Sequence, residues 1–277
     1  PIFKISYLYK YMYYKIQYSG SAQSNKSGNP YYNDKYYDIL SYNVCWECMS
    51  GTSSTGSAKI YGGKCAKTAV NHCRKNIINI CSYKPYSFIG LQEADPKLSQ
   101  EIVVALNSKG FHASYNHISL YLPRSNMIIG CIIYNQDRYV KILNTTYINH
   151  SILKHGAFST DGRPVIGQKF IDTVTNQHVI FISMHSPHDD YGLRDNIIKV
   201  LKYNNMYINT DHIIIVGDFN KIHNADFSFD IGKEHFDIKI VNKNINTGWN
   251  LKGNSTIYSK SIDNIMFYSR NKTMKIE

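Results

Sequence analysis

The chain has 277 residues, 43% hydrophobic and 18% charged, a balance that excludes a disordered or low-complexity protein. Lys and Arg number 31 against 20 Asp and Glu, a formal net charge of +11 that favours polyanionic partners: nucleic acid, an anionic membrane surface or a phosphorylated substrate. No run approaches the roughly 20 apolar residues of a transmembrane helix, and the six cysteines are spaced too irregularly for a disulfide framework.

Residues 1–36 differ from the rest. A Tyr-rich stretch, interrupted by Lys4, Lys10 and Lys15, lacks a signal-peptide core, so an intracellular location is favoured over secretion. It runs into the turn-rich SGSAQSNKSGNP. This part is expected to be a tail or an extra edge element, with the folded domain over 37–277.

From Tyr37 a regular alternation sets in. YDILSYNV is a short strand, and the Gly/Ser/Thr-rich MSGTSSTGSAKIYGGK is a loop. Ala66, Ala69, Val70, Cys73, Ile77, Ile80 and Cys81 fall at helical spacing and predict one buried stripe. YSFIGLQEAD is a buried strand ending in acid. LSQEIVVALNSKG is a helix closed by Gly110. MIIGCIIYN, RYVKILNTTYI, PVIGQKFIDTV and HVIFISMHS read as strands, LRDNIIKVLKYNNMYI as a helix, and HIIIVGDFN and SIDNIMFYS as strands. Helices alternating with buried strands predict an α/β domain with mixed sheets.

Five of these strands carry chemistry. Asn43, Glu93, His185 and the pair Asp218 and Asn220 each follow an apolar run, and the strand SIDNIMF carries Asp263. Strand ends of an α/β sheet are natural places for a site. Asp218 and Asn220 are two apart, so an extended backbone would point both to one side. Taken singly, each is more simply a cap, a turn residue or a solvated terminus. Together, carboxylates and an amide oxygen suit a hard ion such as Mg²⁺, which takes few protein ligands, and an imidazole suits phosphate binding or proton transfer.

SYNV, GLQEA, GRPVIGQKF, SMHSPH, IVGDFN and SIDNIMF, in that order, resemble the endonuclease/exonuclease/phosphatase superfamily over about 37–270. The segment from Phe181 to Lys221 is most similar to deoxyribonuclease I and its relatives. The resemblance implies a four-layer α/β/β/α sandwich of two mixed β-sheets and hydrolysis of phosphate esters with Mg²⁺ or Mn²⁺. It implies Asn43 and Glu93 as metal ligands, Arg163 as a phosphate-binding residue and His185 on the scissile phosphate. Asp218 and Asn220 would position water and phosphate. Asp263 would orient a second histidine, which in the family lies in a Ser-Asp-His farther on. This sequence departs there: no histidine follows Asp263 before Glu277, and Ser261 stands where many relatives carry Arg. The expectation is a truncated domain lacking its last strand, or a member that has lost a catalytic partner. Cleavage of DNA is the leading reading. A phosphatase or phosphodiesterase for inositol phosphates, phospholipids or nucleotides, and an impaired binding member, are the alternatives.

Cys45 and Cys48 form a C-x-x-C, but no helix opens after them, so a thioredoxin-like role is disfavoured. Zinc or disulfide use would need partners such as Cys65. Structural cysteines, with Cys73 and Cys81 in the helix stripe, are the favoured reading. His188, Asp189 and Asp190 are expected to be loop residues, and GSAKIYGGK lacks the phosphate-loop pattern.

Overall fold

The computed structural model describes residues 11–18, 36–44, 70–111, 113–119, 130–149, 164–186, 192–220, 223, 225–241, 248–252, 255–260, 263–271 and 274–276. Two sheets dominate these residues. The first contains β1 (Tyr11–Tyr18), β2 (Tyr36–Asn43), β3 (Phe88–Gln92), β4 (Tyr115–Ser119), β5 (Cys131–Asn135) and β15 (Met274–Ile276), in the order β15-β1-β2-β3-β5-β4. The second contains β6 (Tyr139–Asn149), β7 (Pro164–Asp172), β8 (Gln177–His185), β9 (His212–Asp218), β10 (Phe227–Ile231), β11 (Glu234–Ile240) and β14 (Asp263–Ser269), in the order β10-β11-β14-β9-β8-β7-β6. A separate hairpin joins β12 (Gly248–Lys252) to β13 (Ser255–Lys260). The helices are α1 (Val70–Cys81), α2 (Pro96–Ser108) and α3 (Leu193–Lys202).

Alternation along the strands builds three apolar layers. In β8, Val179 and Phe181 face the first sheet, while Ile180, Ile182 and Met184 face α3. In β9, Ile214 and Val216 point inward, and Ile213 and Ile215 outward. Between the sheets Phe88 lies against Phe181, ring centroids 4.8 Å apart. Leu40, Tyr42, Ile89 and Leu91 pack outward under Ile77 of α1 and Leu98, Ile102 and Leu106 of α2. Helix, sheet, sheet and helix are therefore stacked in that order, the four-layer α/β/β/α sandwich. Strands buried on both faces read as continuous apolar runs for this reason.

Local signals set the helix ends. Asp95 caps α2, its Oδ1 accepting from Leu98 N at 2.6 Å, with Pro96 next in the first turn. Gly110 follows the helix at φ +69, a left-handed position that glycine takes without strain. Helix α3 stops at Lys202, short of the predicted Ile208, because Asn204 and Asn205 adopt φ 52 and turn the chain through a 3-10 segment, Tyr203–Asn205. Asparagine tolerates that conformation better than other side chains.

The N-terminal stretch supplies β1, hydrogen-bonded between β2 and β15. The hairpin β10–β11 falls outside the predicted elements. Its alternation is nonetheless plain, with Phe236, Ile238 and Ile240 buried between exposed His235, Asp237 and Lys239. In the helix stripe, Ile77 and Cys81 are buried, whereas Ala66, Ala69 and the side chain of Cys73 lie outside the described residues. Cys81 and Cys131 are free thiols in the outer core, and burial pushes both up, Cys131 to about 11, which leaves them unreactive. Cys45, Cys48, Cys65, the GSAKIYGGK loop, His188, Asp189 and Asp190 lie outside the described residues.

Candidate active site

Two parallel strand pairs set the position of the site. β2 runs parallel to β3 in the first sheet, and β8 parallel to β9 in the second, so four C-terminal ends share one rim of the sandwich. Asn43 ends β2, Glu93 follows β3, His185 ends β8 and Asp218 ends β9. His185 pairs with Asp218 in the ladder, and Asp263, the first residue of β14, faces Asp218 across the antiparallel pair.

The side chains meet across the two sheets. Asn43 Nδ2 donates to Asp218 Oδ2 at 2.9 Å and to Glu93 Oε1 at 3.2 Å. His185 Nε2 lies 3.7 Å from the same Glu93 oxygen. Asn43, His185 and Asp218 are buried, while the Glu93 side chain keeps 17% of its surface open. Glu93 is thus the most solvent-accessible of these four side chains.

Asp218 and Asn220 differ from the strand-alternation expectation. β9 ends at Asp218, and Asn220 lies beyond it at φ 52, so the pair does not share a strand face. Asn220 returns to the rim by a turn: its N–H donates to Asp218 Oδ1 at 2.9 Å, and its Nδ2 to the Ser186 carbonyl at 2.7 Å. Each Asp218 oxygen therefore has its own donor. Gly217 answers to a close approach of two strands. It sits within β9 opposite Met184, and a Cβ there would collide with the Met184 carbonyl oxygen.

Behind the rim, Gln92 Nε2 donates to Ser183 Oγ at 3.0 Å, which in turn donates to the Leu91 carbonyl at 3.3 Å. This chain ties the end of β3 to β8, across the gap between sheets. Glu93 itself is at φ 62, a left-handed backbone that costs a side-chain-bearing residue about 1 kcal/mol. Two residues on, Asp95 is gripped by Arg74 of α1, with Nη1 at 2.8 Å from Oδ2 and Nη2 at 3.2 Å from Oδ1. Burial pushes the Asp95 carboxyl up, but the Arg74 guanidinium and the Leu98 N–H outweigh it and hold the group below its usual range. In the sequence Asp95 is only the acid that closes YSFIGLQEAD, and Arg74 only a residue off the apolar stripe. The Ser186 carbonyl leaves no signature in a sequence at all.

The rim therefore collects Asn43, Glu93, His185, Asp218 and Asn220, with Asp263 beside them in register. Arg163 lies outside the described residues, and of Asp263 only the backbone is described. Two carboxylate oxygens, from Glu93 and Asp218, accept from the Asn43 amide nitrogen, and with that amide turned so that Oδ1 faces them the three would make a donor set of hard oxygens. Such a set fits Mg²⁺ or Mn²⁺, which take one or two carboxylates and keep several waters. Among the described residues no three His, Cys, Asp or Glu side chains gather closely enough to hold a metal ion by themselves.

The chain belongs to the endonuclease/exonuclease/phosphatase family, whose model matches residues 40–269. Solved structures agree on the fold. The human Nocturnin catalytic domain with bound sulfate anion aligns with a TM-score of 0.51 at 12% identity, over 86% of this chain and 84% of that one. A mannosyl-6-phosphatase of Bacteroides thetaiotaomicron gives 0.50 at 14% identity, over 86% and 98%. TDP2 from C. elegans gives 0.50 at 12% identity, over 83% and 64%. The chain matches none of the curated proteins.

Proposed function

We propose that this chain is a divalent-metal-dependent phosphodiesterase that cleaves DNA. The observation that supports it is the meeting of Asn43, Glu93, His185 and Asp218 at one rim, from four strands of two sheets. Asn43 and Glu93 would hold Mg²⁺ or Mn²⁺. The ion's contribution when bound is to offset the negative charge that builds on a phosphate under attack.

The remaining steps belong to the protein. Asp218, fixed by separate donors on its two oxygens, orients a water for attack and accepts its hydrogen bond. His185 presents Nε2 beside Glu93, within reach of a phosphate seated there, and gives it a hydrogen bond or a proton. Asn220, turned in by its bond to Ser186, lines the same seat. By the resemblance, Arg163 is assigned to the phosphate and Asp263 to orienting a second histidine. The choice of DNA rests on the net charge of +11, since a basic surface grips flanking phosphates. Among the described residues no helix is long and apolar enough to cross a membrane.

The test is nicking of supercoiled plasmid in Mg²⁺, Mn²⁺ or EDTA by the wild type and by Glu93→Gln, His185→Ala and Asp218→Asn. Nicking is expected with metal only, weakening steeply with salt, and falling about 100-fold or more in each variant. A folded protein that hydrolyses small phosphomonoesters or inositol phosphates and leaves plasmid intact refutes the choice of DNA. One that does neither refutes the enzymatic reading.

A further inference from the structure

Glu93 is suspended between two anchored points. It follows β3 directly, Ala94 is fully buried, and Asp95 already caps α2. Three residues leave almost no slack, so a displacement of Asp95 must be passed to Glu93.

Asp95 is held from outside its own segment. Arg74 of α1 grips both its oxygens and also reaches Glu101, its Nε 2.5 Å from Oε2. The Arg74 side chain is only 14% exposed. A planar guanidinium engaged with two carboxylates is confined to one orientation. The helices do not need this contact to pack, because Ile77, Cys81, Leu98 and Ile102 already join α1 and α2 to the apolar layer over the first sheet. What the ion pair adds is register. It fixes where α2 begins, and so where the left-handed Glu93 can place its carboxylate.

We infer that Arg74 is a positioning residue for the rim: through Asp95 it holds the Glu93 carboxylate against Asn43 and His185, and thereby sets the affinity for the divalent ion. The inference rests on the metal-dependent reading above. Residues that orient metal ligands from behind commonly matter to affinity nearly as much as the ligands.

The experiment is Mn²⁺ binding to the free protein by calorimetry, with the melting temperature of each variant. The set is wild type, Arg74→Ala, Arg74→Lys, Glu93→Gln and Lys84→Ala. Lys84 serves as the control because its ion pair with Asp38, at 2.7 Å, is also partly shielded and lies away from Glu93. Arg74→Ala is expected to weaken Mn²⁺ about tenfold or more. Arg74→Lys should fall between, since it keeps the charge and loses the fork. Lys84→Ala should keep wild-type affinity whatever happens to its melting temperature.

Wild-type affinity in Arg74→Ala, with loss in Glu93→Gln, overturns the inference and leaves the metal reading standing. Equal weakening in Lys84→Ala and Arg74→Ala also overturns it, as general destabilisation. If wild type and Glu93→Gln bind alike, or neither binds, the metal reading fails and the inference falls with it. Should Arg74→Ala not fold, Arg74→Lys and Glu101→Gln decide: weaker Mn²⁺ at an unchanged melting temperature supports the inference, and wild-type affinity in both overturns it.

Discussion

Replacing Asn43 with aspartate keeps the side chain's shape and inverts what it offers. Asn43 Nδ2 donates to Glu93 and Asp218 from a position only 7% exposed. An ionised carboxylate there has no donor and sets a third negative charge beside two. At 4 Å and an effective dielectric constant of 20, each like-charge contact costs about 4 kcal/mol. Protonating the introduced carboxyl is the cheaper outcome: starting from an ordinary pKa of about 3.9, it costs about 4 kcal/mol at pH 7 and about 1.5 kcal/mol at pH 5. A protonated carboxyl restores one of the two donors, and the other bond, to a carboxylate, is worth about 2 kcal/mol. Asn43→Asp should therefore lose about 6 kcal/mol at pH 7 and about 3.5 kcal/mol at pH 5. The sign follows from linkage. The introduced group's pKa is raised on folding, so its contribution is fully present below about 3.9 and is lost as pH rises through the raised value. Asn43→Ala loses both bonds but adds no ionisable group, so its penalty should change less between the two pH values than that of Asn43→Asp. Urea unfolding of the three proteins in EDTA at pH 5 and pH 7 makes the comparison. A penalty for Asn43→Asp that does not change with pH refutes the reasoning.

Three further outcomes follow from the geometry. Arg138→Ala strips the bidentate partner from Asp172, which is fully buried, and should cost about 3–5 kcal/mol in urea unfolding; a loss under 1 kcal/mol would mean that the pair contributes little. Gly90→Ala drives a Cβ into Val216 where the two sheets touch, and should cost about 1–3 kcal/mol, read as a lower melting temperature; an unchanged one would contradict so close a contact. His212 is buried against Tyr37 with its Nε2 bonded to Gln177, and burial lowers its pKa to about 4. Its folded-state pKa lies below the ordinary 6.5, so the unfolded chain binds the proton first as pH falls. About 3 kcal/mol of stability, present above pH 6.5, is lost between there and pH 4. The pH profile of unfolding should flatten over that range in His212→Gln, and an unaltered profile would count against the assignment.

Much of the fold was legible because its strands are long, apolar and separated by turn residues. Phe88–Gln92, Gln177–His185 and His212–Asp218 are buried on both faces and read directly as core strands. Hairpin Phe227–Ile240 carries charged residues on its outer face and blends into the polar background of a Lys- and Asn-rich chain. The end of α3 was misplaced for a related reason: asparagine at 204 and 205 continues a helical pattern in sequence while favouring a left-handed turn in space.

The site divides in the same way. The residue types and their places at strand ends are written in the sequence, because an apolar run that stops at Asn43, Glu93, His185 or Asp218 is a local pattern. Their meeting is not local. Asn43 and Asp218 are 175 positions apart and belong to different sheets. Only the stacking of the sheets, with both parallel pairs ending on one rim, brings them to 2.9 Å. The turn that swings Asn220 onto Ser186 and the grip of Arg74 on Asp95 also belong to the tertiary structure. The backbone's short repeat fixes which way a side chain faces within its own strand or helix. Which ends share an edge is decided by the packing of buried layers, and that depends on contacts spread over the whole chain.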